Sequence, residues 1–185
     1  MSKIISIIIS LMNELEKSYG WTFTEEEKKN TPERISRMLN EWQTKNTYEK
    51  FTSFENAFNY NELITVKNID FMAFCSHHLL PFFGQISIAY LPNDKVIGAS
   101  KLARIVEKFA YKAQLQERLT EEIANFLFTE LQPTALLVHV EAVHTCMTER
   151  GVNKINSKMI TNAIRGDMLK NSQLRSEALE MIKNE

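Results

Sequence analysis

The chain has 185 residues, of which 44% are hydrophobic and 24% charged, as is usual for one globular domain with or without an N-terminal extension. Its formal net charge of −1 argues against a general nucleic-acid-binding protein, since such proteins carry an excess of basic residues. No stretch reaches the roughly 20 apolar residues that a membrane span needs. We therefore expect a cytoplasmic protein with no membrane or nucleic-acid partner.

The first predicted element is a helix over residues 3–19, where apolar residues recur at helical spacing and Gly20 ends the pattern. The run IISIIISLM (4–12) resembles the core of a signal peptide, but charged residues follow it at once and no small-residue cleavage site appears. We expect this helix to be buried or to contact another subunit. A second helix is predicted from Thr31, a good N-cap, with Pro32 at the first helical position.

Residues 43–60 show no clear period and are predicted to form a loop or a short helix. Beyond residue 62 the hydrophobic pattern alternates, which predicts strands in LITVKNIDFMAF and QISIAYL, separated by a turn around Pro81 and Gly84. The remaining predicted elements are a helix capped by Ser100, a helix at about 115–131, strands at 134–147 and 158–164, and a last helix at 170–183. This order predicts an α+β domain with an antiparallel sheet.

Cysteine and histidine are scarce, yet both cysteines and three of the four histidines fall in two short stretches, CSHH and HTC. Cys75 and His78 have a C-x-x-H spacing, which lets both reach one ion if the chain turns there. His144 and Cys146 lie two apart in a predicted strand, so they point to one face, while His139 lies on the opposite face. Thiol and imidazole groups together favour zinc, so we predict one shared zinc site.

A catalytic zinc has three protein ligands and keeps one position open for water, whereas a structural zinc has four. Cys75, His78 and Cys146 could supply three ligands, which leaves His77 and His144 as titratable groups beside the metal. Bound zinc lowers the pKa of water to about 7, and histidine is suited to moving protons at that pH. The cluster therefore predicts a hydrolase.

A second set of residues is basic and could bind an anion. Lys101 and Arg104 lie one helical turn apart just after Ser100, where a helix start offers free backbone N–H groups. The chain has 5 glycines and no glycine-rich phosphate loop, so phosphate binding would have to rely on basic side chains. Further candidates, from elsewhere in the chain, are Arg150, Arg34 and Arg37.

Four segments together resemble the GTP cyclohydrolase I family: CSHHLLPFFG, VIGASKLARIVEKFA, QLQERLTEEI and EAVHTCMTERGVNKINSKMITNAIRG. The resemblance is ordered and nearly continuous from about Thr31 to Arg175. It implies a tunnelling fold, which is an α+β fold with an antiparallel sheet, helices on one face and additional N-terminal helices. It also implies a homodecamer of two stacked pentamers with active sites at subunit interfaces. We expect residues 1–60 to form the N-terminal helical region and 61–185 the catalytic domain, as a single functional unit.

The resemblance further implies the reaction and the residues that carry it. Cys75, His78 and Cys146 would bind zinc, and a water activated there would attack C8 of GTP. His144 would donate a proton to the imidazole ring nitrogen of the base, and His77 would assist proton transfer as the ring opens. Formate would be released, and the ribose would rearrange to give 7,8-dihydroneopterin triphosphate.

Substrate binding is implied by the same resemblance. Glu117 would accept hydrogen bonds from the guanine N1–H and 2-amino groups, which adenine lacks. Ser100 would lie near the ribose. The triphosphate would be held by Lys101, Arg104 and Arg150, joined by Arg34 and Arg37 of a neighbouring subunit.

Three positions depart from the family pattern: Ser76 replaces the usual acidic residue, Lys112 an expected arginine, and Asn162 a Ser or Thr. None of these removes a proposed ligand or proton donor. The alternatives are a deazaguanine nitrile reductase of the same fold, a structural zinc module and a degenerate, non-catalytic paralogue. The sequence leaves open whether the product would enter folate, tetrahydrobiopterin or deazapurine synthesis.

Overall fold

A computed structural model describes residues 2–45 and 50–183, and the chain divides into two compact units after Lys45. The N-terminal unit is a pair of packed helices, α1 (Lys3–Tyr19) and α2 (Glu25–Lys45). Helix α1 has the predicted bounds, and it ends at Gly20 in the left-handed conformation with φ 68°. The predicted division at residue 60, with one functional unit beyond it, stays a prediction.

Helix α2 begins earlier than predicted, and the expectation that Thr31 caps it was wrong. Its first turn is closed by a capping box, in which the Thr24 hydroxyl accepts from the Glu27 backbone N–H at 3.2 Å. The Glu27 carboxylate accepts a hydrogen bond from the Thr24 backbone N–H at 2.8 Å, and this bond lowers the pKa of Glu27. Pro32 consequently lies inside the helix and is buried there.

The second unit contains a five-stranded sheet, a two-stranded sheet and four helices among the described residues. Its elements are β1 (Phe54–Glu55), β2 (Ile64–Cys75), β3 (Pro81–Leu91), β4 (Lys95–Val96), α3 (Ala99–Ala110), β5 (Ala113–Gln114), α4 (Gln116–Leu131), β6 (Ala135–His144), α5 (Thr145–Thr148), β7 (Met159–Gly166) and α6 (Ser172–Lys183). Of the predicted 43–60 loop, residues 46–49 lie outside the described residues.

The large sheet has the strand order β5-β2-β3-β6-β7. All of its neighbours are antiparallel except β5, a two-residue strand that runs parallel to β2. The two-stranded sheet pairs β1 with β4. The predicted α+β class is therefore confirmed.

Both faces of the sheet are covered at one end. Helices α3 and α4 pack on one face, where Ile105 and Ile123 are fully buried against the sheet. Helix α6 packs on the opposite face and buries Ala178 against Leu137. This double coverage explains why five consecutive residues of β3, 86–90, are all buried although strand residues alternate between faces.

The connection between β2 and β3 corrects another prediction. The turn occupies residues 76–80, whereas Pro81 is the first residue of β3 and Gly84 lies within that strand. A proline is tolerated at the first position of a strand. Gly84 is required by close packing, because a Cβ there would lie 2.0 Å from the carbonyl oxygen of Glu141 on β6.

None of the helices in the described part of the chain is long and apolar enough to cross a membrane.

Candidate active site

The sheet topology brings the two cysteine-containing segments to one edge. Strands β2 and β6 both run antiparallel to β3, so their carboxyl ends lie at the same end of the sheet, on either side of the start of β3. Cys75 ends β2 and Cys146 follows β6 directly. The candidate ligand atoms of Cys75, His78 and Cys146 all lie within 4.8 Å of one another. The structure thus assembles the three residues that the sequence predicted as metal ligands, although they come from distant segments.

The turn after β2 folds His78 back over Cys75. The Cys75 carbonyl accepts hydrogen bonds from the backbone N–H of His78 at 3.2 Å and of Leu79 at 2.8 Å, and the Cys75 N–H donates to the Leu80 carbonyl at 2.8 Å. Leu79 adopts a left-handed conformation with φ 54°, which lets the chain reverse within a few residues. This is the turn that the C-x-x-H spacing required.

The backbone at Cys146 is helical and not extended as predicted. Strand β6 ends at His144, and the next four residues form the helical turn α5, so strand alternation does not set the direction of Cys146. The Thr145 hydroxyl donates to the Pro81 carbonyl at 2.6 Å and ties this turn to the start of β3. The expectation of a strand through residue 147 was wrong, because the backbone turns into α5 directly after His144.

The cluster is suited to a positive ion. Burial raises the pKa of the Cys146 thiol and the neighbouring Cys75 raises it further, while the positive charge of Arg150 acts in the opposite direction. The Arg150 guanidinium also donates a hydrogen bond of 2.6 Å to Nε2 of His78. Two thiols and one imidazole make a donor set that fits a zinc ion with one open position. A metal ion bound through Nε2 would take the place of the Arg150 contact.

His144 lies beside the cluster in a buried position, with 8% of its surface exposed. Its ring stacks on Phe82, its register neighbour on β3, with 4.5 Å between ring centroids and an angle of 6°. Its Nε2 lies 2.8 Å from Oε1 of Gln116. Burial lowers the pKa of His144, and the negative charge of Glu117 offsets part of this effect.

Of the remaining histidines, His77 lies next to the cluster and His139 lies away from it. His77 is exposed in the turn after β2, and its Nδ1 lies 3.8 Å from Sγ of Cys75. His139 lies outside the cluster, with its Nδ1 2.7 Å from Oδ1 of Asn162 on the adjacent strand β7. Of the four histidines, three therefore lie at or beside the cysteines.

The predicted nucleotide-binding residues lie mainly at helix starts. Ser100, Lys101 and Arg104 occupy the first turns of α3, but its N-cap is Gly98, so the expectation that Ser100 caps this helix was wrong. The Lys101 ammonium donates to a backbone carbonyl, that of Thr52, at 3.0 Å.

Glu117 lies exposed in the first turn of α4, and Arg150 is exposed after α5. Arg34 and Arg37 lie exposed on α2, in the N-terminal unit.

Two polar residues of this region were missed by sequence reasoning. Gln116, beside Glu117, is 1% exposed and bonds to His144. Arg118 donates to the Ser76 hydroxyl at 3.4 Å and to the Ala113 carbonyl at 2.9 Å. The helical pattern of α4 contained a signal for Gln116, since this glutamine lies three residues before the buried Leu119 and so shares its face.

The whole chain was compared with known proteins. The family model for GTP cyclohydrolase I matches residues 8–183. A protein named GTP cyclohydrolase 1 from Aquifex aeolicus is 47% identical over 155 residues, which is 84% of both chains. One of the same name from Hydrogenobaculum sp. is 44% identical over 164 residues, covering 89% of this chain and 90% of the relative.

Among solved structures, the apo form of the archaeosine synthase QueF-Like matches 56% of this chain and 93% of that chain. Its sequence identity is 18% and its TM-score 0.44. The family match covers nearly the whole chain, and the relatives are similar over most of their length. The chain therefore belongs to the GTP cyclohydrolase I family of hydrolases.

Proposed function

We propose that this protein hydrolyses GTP at C8, releases formate and forms 7,8-dihydroneopterin triphosphate in a zinc-dependent reaction. The observation that carries the proposal is the convergence of Cys75, His78 and Cys146, whose candidate ligand atoms lie within 4.8 Å of one another. Family membership supports the same activity. The product would enter pterin biosynthesis, including that of folate.

Cys75, His78 and Cys146 would hold the zinc ion. When bound, zinc supplies a Lewis acid that lowers the pKa of water and so provides a nucleophile at neutral pH. Burial raises the pKa of the Cys146 thiol, and the positive charge of Arg150 opposes this rise and so favours the ionised form, which is the form that binds metal.

His144 and His77 would move protons. His144 would donate a proton to the imidazole ring nitrogen of the base, and its burial lowers its pKa, which favours release of that proton. His77 is exposed beside Cys75, where it would exchange protons with solvent as the ring opens.

The substrate would be bound through its base, ribose and triphosphate. The Glu117 carboxylate would accept from guanine N1–H and the 2-amino group, which distinguishes GTP from ATP. Ser100 would lie by the ribose. The triphosphate would be bound by Lys101, Arg104 and Arg150, with Arg34 and Arg37 contributed by a neighbouring subunit of a homodecamer in the cytoplasm.

The proposal is tested by incubating the purified protein with GTP, with and without a metal chelator, and by measuring formate together with fluorescent neopterin after oxidation. We expect both products in a one-to-one ratio, loss of both with the chelator, and recovery when zinc is added back. ATP in place of GTP should give neither. About one zinc per chain with no formate would contradict the enzymatic function and favour a structural zinc site.

A further inference from the structure

Gln116 is a buried glutamine at the start of α4. Its amide nitrogen lies 2.9 Å from the carbonyl oxygen of Met159 and 3.2 Å from that of Val140. A third contact, of 3.2 Å, joins this nitrogen to the Thr161 hydroxyl. Gln116 thus joins α4 to strands β6 and β7, and its remaining atom, Oε1, is the one that meets His144.

These contacts determine which way the glutamine amide faces. Backbone carbonyl oxygens only accept hydrogen bonds, so the group facing Met159 and Val140 has to be the NH2 group. With the amide reversed, Oε1 would lie against two carbonyl oxygens, and three acceptors would face one another with no hydrogen between them. The orientation of Gln116 is therefore fixed by the backbone of β6 and β7.

The nearby threonines support the same orientation. The Thr120 hydroxyl donates its hydrogen to the Gln116 backbone carbonyl at 2.7 Å. Thr161 lies 2.6 Å from Thr120, so its own hydrogen goes to the Thr120 oxygen. The Thr161 oxygen then has a lone pair directed to the Gln116 amide. Each hydroxyl hydrogen in this network has one acceptor.

An oriented Gln116 in turn determines where His144 carries its proton. Since Oε1 only accepts, the 2.8 Å contact requires a hydrogen on Nε2 of His144. In a neutral imidazole the other nitrogen, Nδ1, then has the lone pair. Stacking on Phe82 fixes the plane of the ring, so both its tautomer and its orientation are set.

We propose that Gln116 is a positioning residue: it holds His144 as the Nε2–H tautomer and makes Nδ1 the nitrogen that exchanges a proton with the substrate. The second half of this statement rests on the proposed function of His144, whereas the first half does not. Gln116 itself contacts no reacting atom in this scheme. Its role is that of an outer partner that orients a functional histidine.

The tautomer is measured by nitrogen NMR on the zinc-loaded protein with ¹⁵N-labelled histidine, at mildly alkaline pH where imidazole is neutral. The His144 signals are assigned by their loss in a His144→Gln variant. We expect Nε2 to have the shift and attached-proton coupling of a protonated nitrogen, and Nδ1 those of an unprotonated one. The opposite pattern in the wild-type protein would overturn the proposal, even if no variant could be prepared.

Gln116→Met tests whether Gln116 sets the tautomer of His144, because this variant keeps the size of the side chain and removes its hydrogen bonds. His144 should then show a mixture of tautomers, and kcat should fall about 10- to 100-fold with little change in KM. The matched control is Gln114→Met, since Gln114 is equally buried but bonds to Phe109, Glu122 and Arg118 instead of His144. In the control, the His144 signals should be those of wild type.

Zinc content and the far-ultraviolet circular dichroism of both variants establish that they are folded. An unchanged His144 spectrum in folded Gln116→Met would show that Gln116 does not set the tautomer. A wild-type protein that forms no formate would refute the proposed function and leave the NMR result intact. The two proposals can therefore fail separately.

Discussion

Cys146 and His144 are two residues apart but have different surroundings. Cys146 belongs to the group of three candidate ligands, in which its thiol neighbours that of Cys75. His144 is held by a hydrogen bond to Gln116 and by stacking on Phe82. Substitutions at the two positions should therefore separate metal binding from proton transfer.

We expect Cys146→Ser to lose both zinc and formate production, because a serine hydroxyl is a poor ligand for zinc. His144→Ala should keep zinc and lose turnover by about 10²- to 10⁴-fold, the usual contribution of a general acid or base. Atomic absorption measures the zinc per chain, and the formate assay measures turnover. Full activity in both variants would show that the site has been assigned to the wrong residues.

Ser76 is the position where the turn departs from the family pattern, and the structure places Arg118 next to it. The Arg118 guanidinium lies 3.4 Å from the Ser76 hydroxyl. A glutamate at position 76 could pair with this cation at the protein surface, where such pairs contribute about 0.2–1 kcal/mol. The turn that carries His78 would then be held more firmly.

Ser76→Glu should therefore tighten zinc binding by up to about 5-fold, which corresponds to 1 kcal/mol. Ser76→Gln is the matched control, since it has the same length without the charge. Competition with a chromophoric zinc chelator measures the affinity of the wild type and both variants. Equal affinities for the Glu and Gln variants would show that the charge has no effect on the site.

Among the secondary-structure elements, the pairing of β3 with β6 has the largest effect on the site. It places Phe82 opposite His144 and Gly84 opposite Ala142. At Gly84 the two strands approach so closely that a Cβ would lie 2.7 Å from the Cα of Ala142. An added methyl group would push β3 away from β6, the strand that precedes Cys146.

Gly84→Ala should lower the free energy of unfolding by about 1–3 kcal/mol, as for other overpacked sites, which lowers the melting temperature of a chain of this size by several degrees. Gly98→Ala is the control, because among the described residues a Cβ there would meet only Phe54, at 4.0 Å, and its φ of −67° suits alanine. Melting is followed by circular dichroism at one protein concentration. Equal melting temperatures would contradict the close approach of β3 and β6.

At the scale of the whole molecule, helix α1 supports the proposed homo-oligomer. Ile4, Ile7 and Leu11 follow one another at helical spacing and are 39%, 53% and 56% exposed in the single chain. Exposed apolar stripes of this kind usually mark contacts with another chain. The proposed decamer would cover this stripe and bring Arg34 and Arg37 of α2 to a neighbouring triphosphate site.

Light scattering on the purified protein should give the mass of ten chains. Co-expression of two inactive forms, Cys146→Ser and Arg34→Ala/Arg37→Ala, should restore about a quarter of wild-type activity. With random assembly, about a quarter of the sites combine an intact metal-binding cluster from one chain with intact Arg34 and Arg37 from its neighbour. Co-expression of Cys146→Ser with Cys75→Ser is the control and should restore none, since both changes damage the same half. A monomeric mass, or no recovery in the first pair, would contradict a shared site.

Much of the fold could be predicted because its signals are local. Helix α1 and strand β7 follow from hydrophobic periodicity. The start of α2 was predicted wrongly although its signal is local too. The Thr24–Glu27 capping box precedes the Thr31-Pro32 pair, which was taken as the beginning of the helix. When one segment contains two possible N-caps, the packing of the whole helix decides at which of them the helix begins.

The amino-acid sequence by itself determined the donor atoms, because two cysteines and three histidines in two short motifs define a metal-binding set of recognisable chemistry. The tertiary structure alone decided how those motifs meet and which nitrogen of His144 carries the proton. Gln116 acquires its role from the carbonyl oxygens of Val140 and Met159, which lie 24 and 43 residues further along the chain. Hydrogen bonds between distant segments leave no periodic signal in a sequence, since they depend on the register of paired strands.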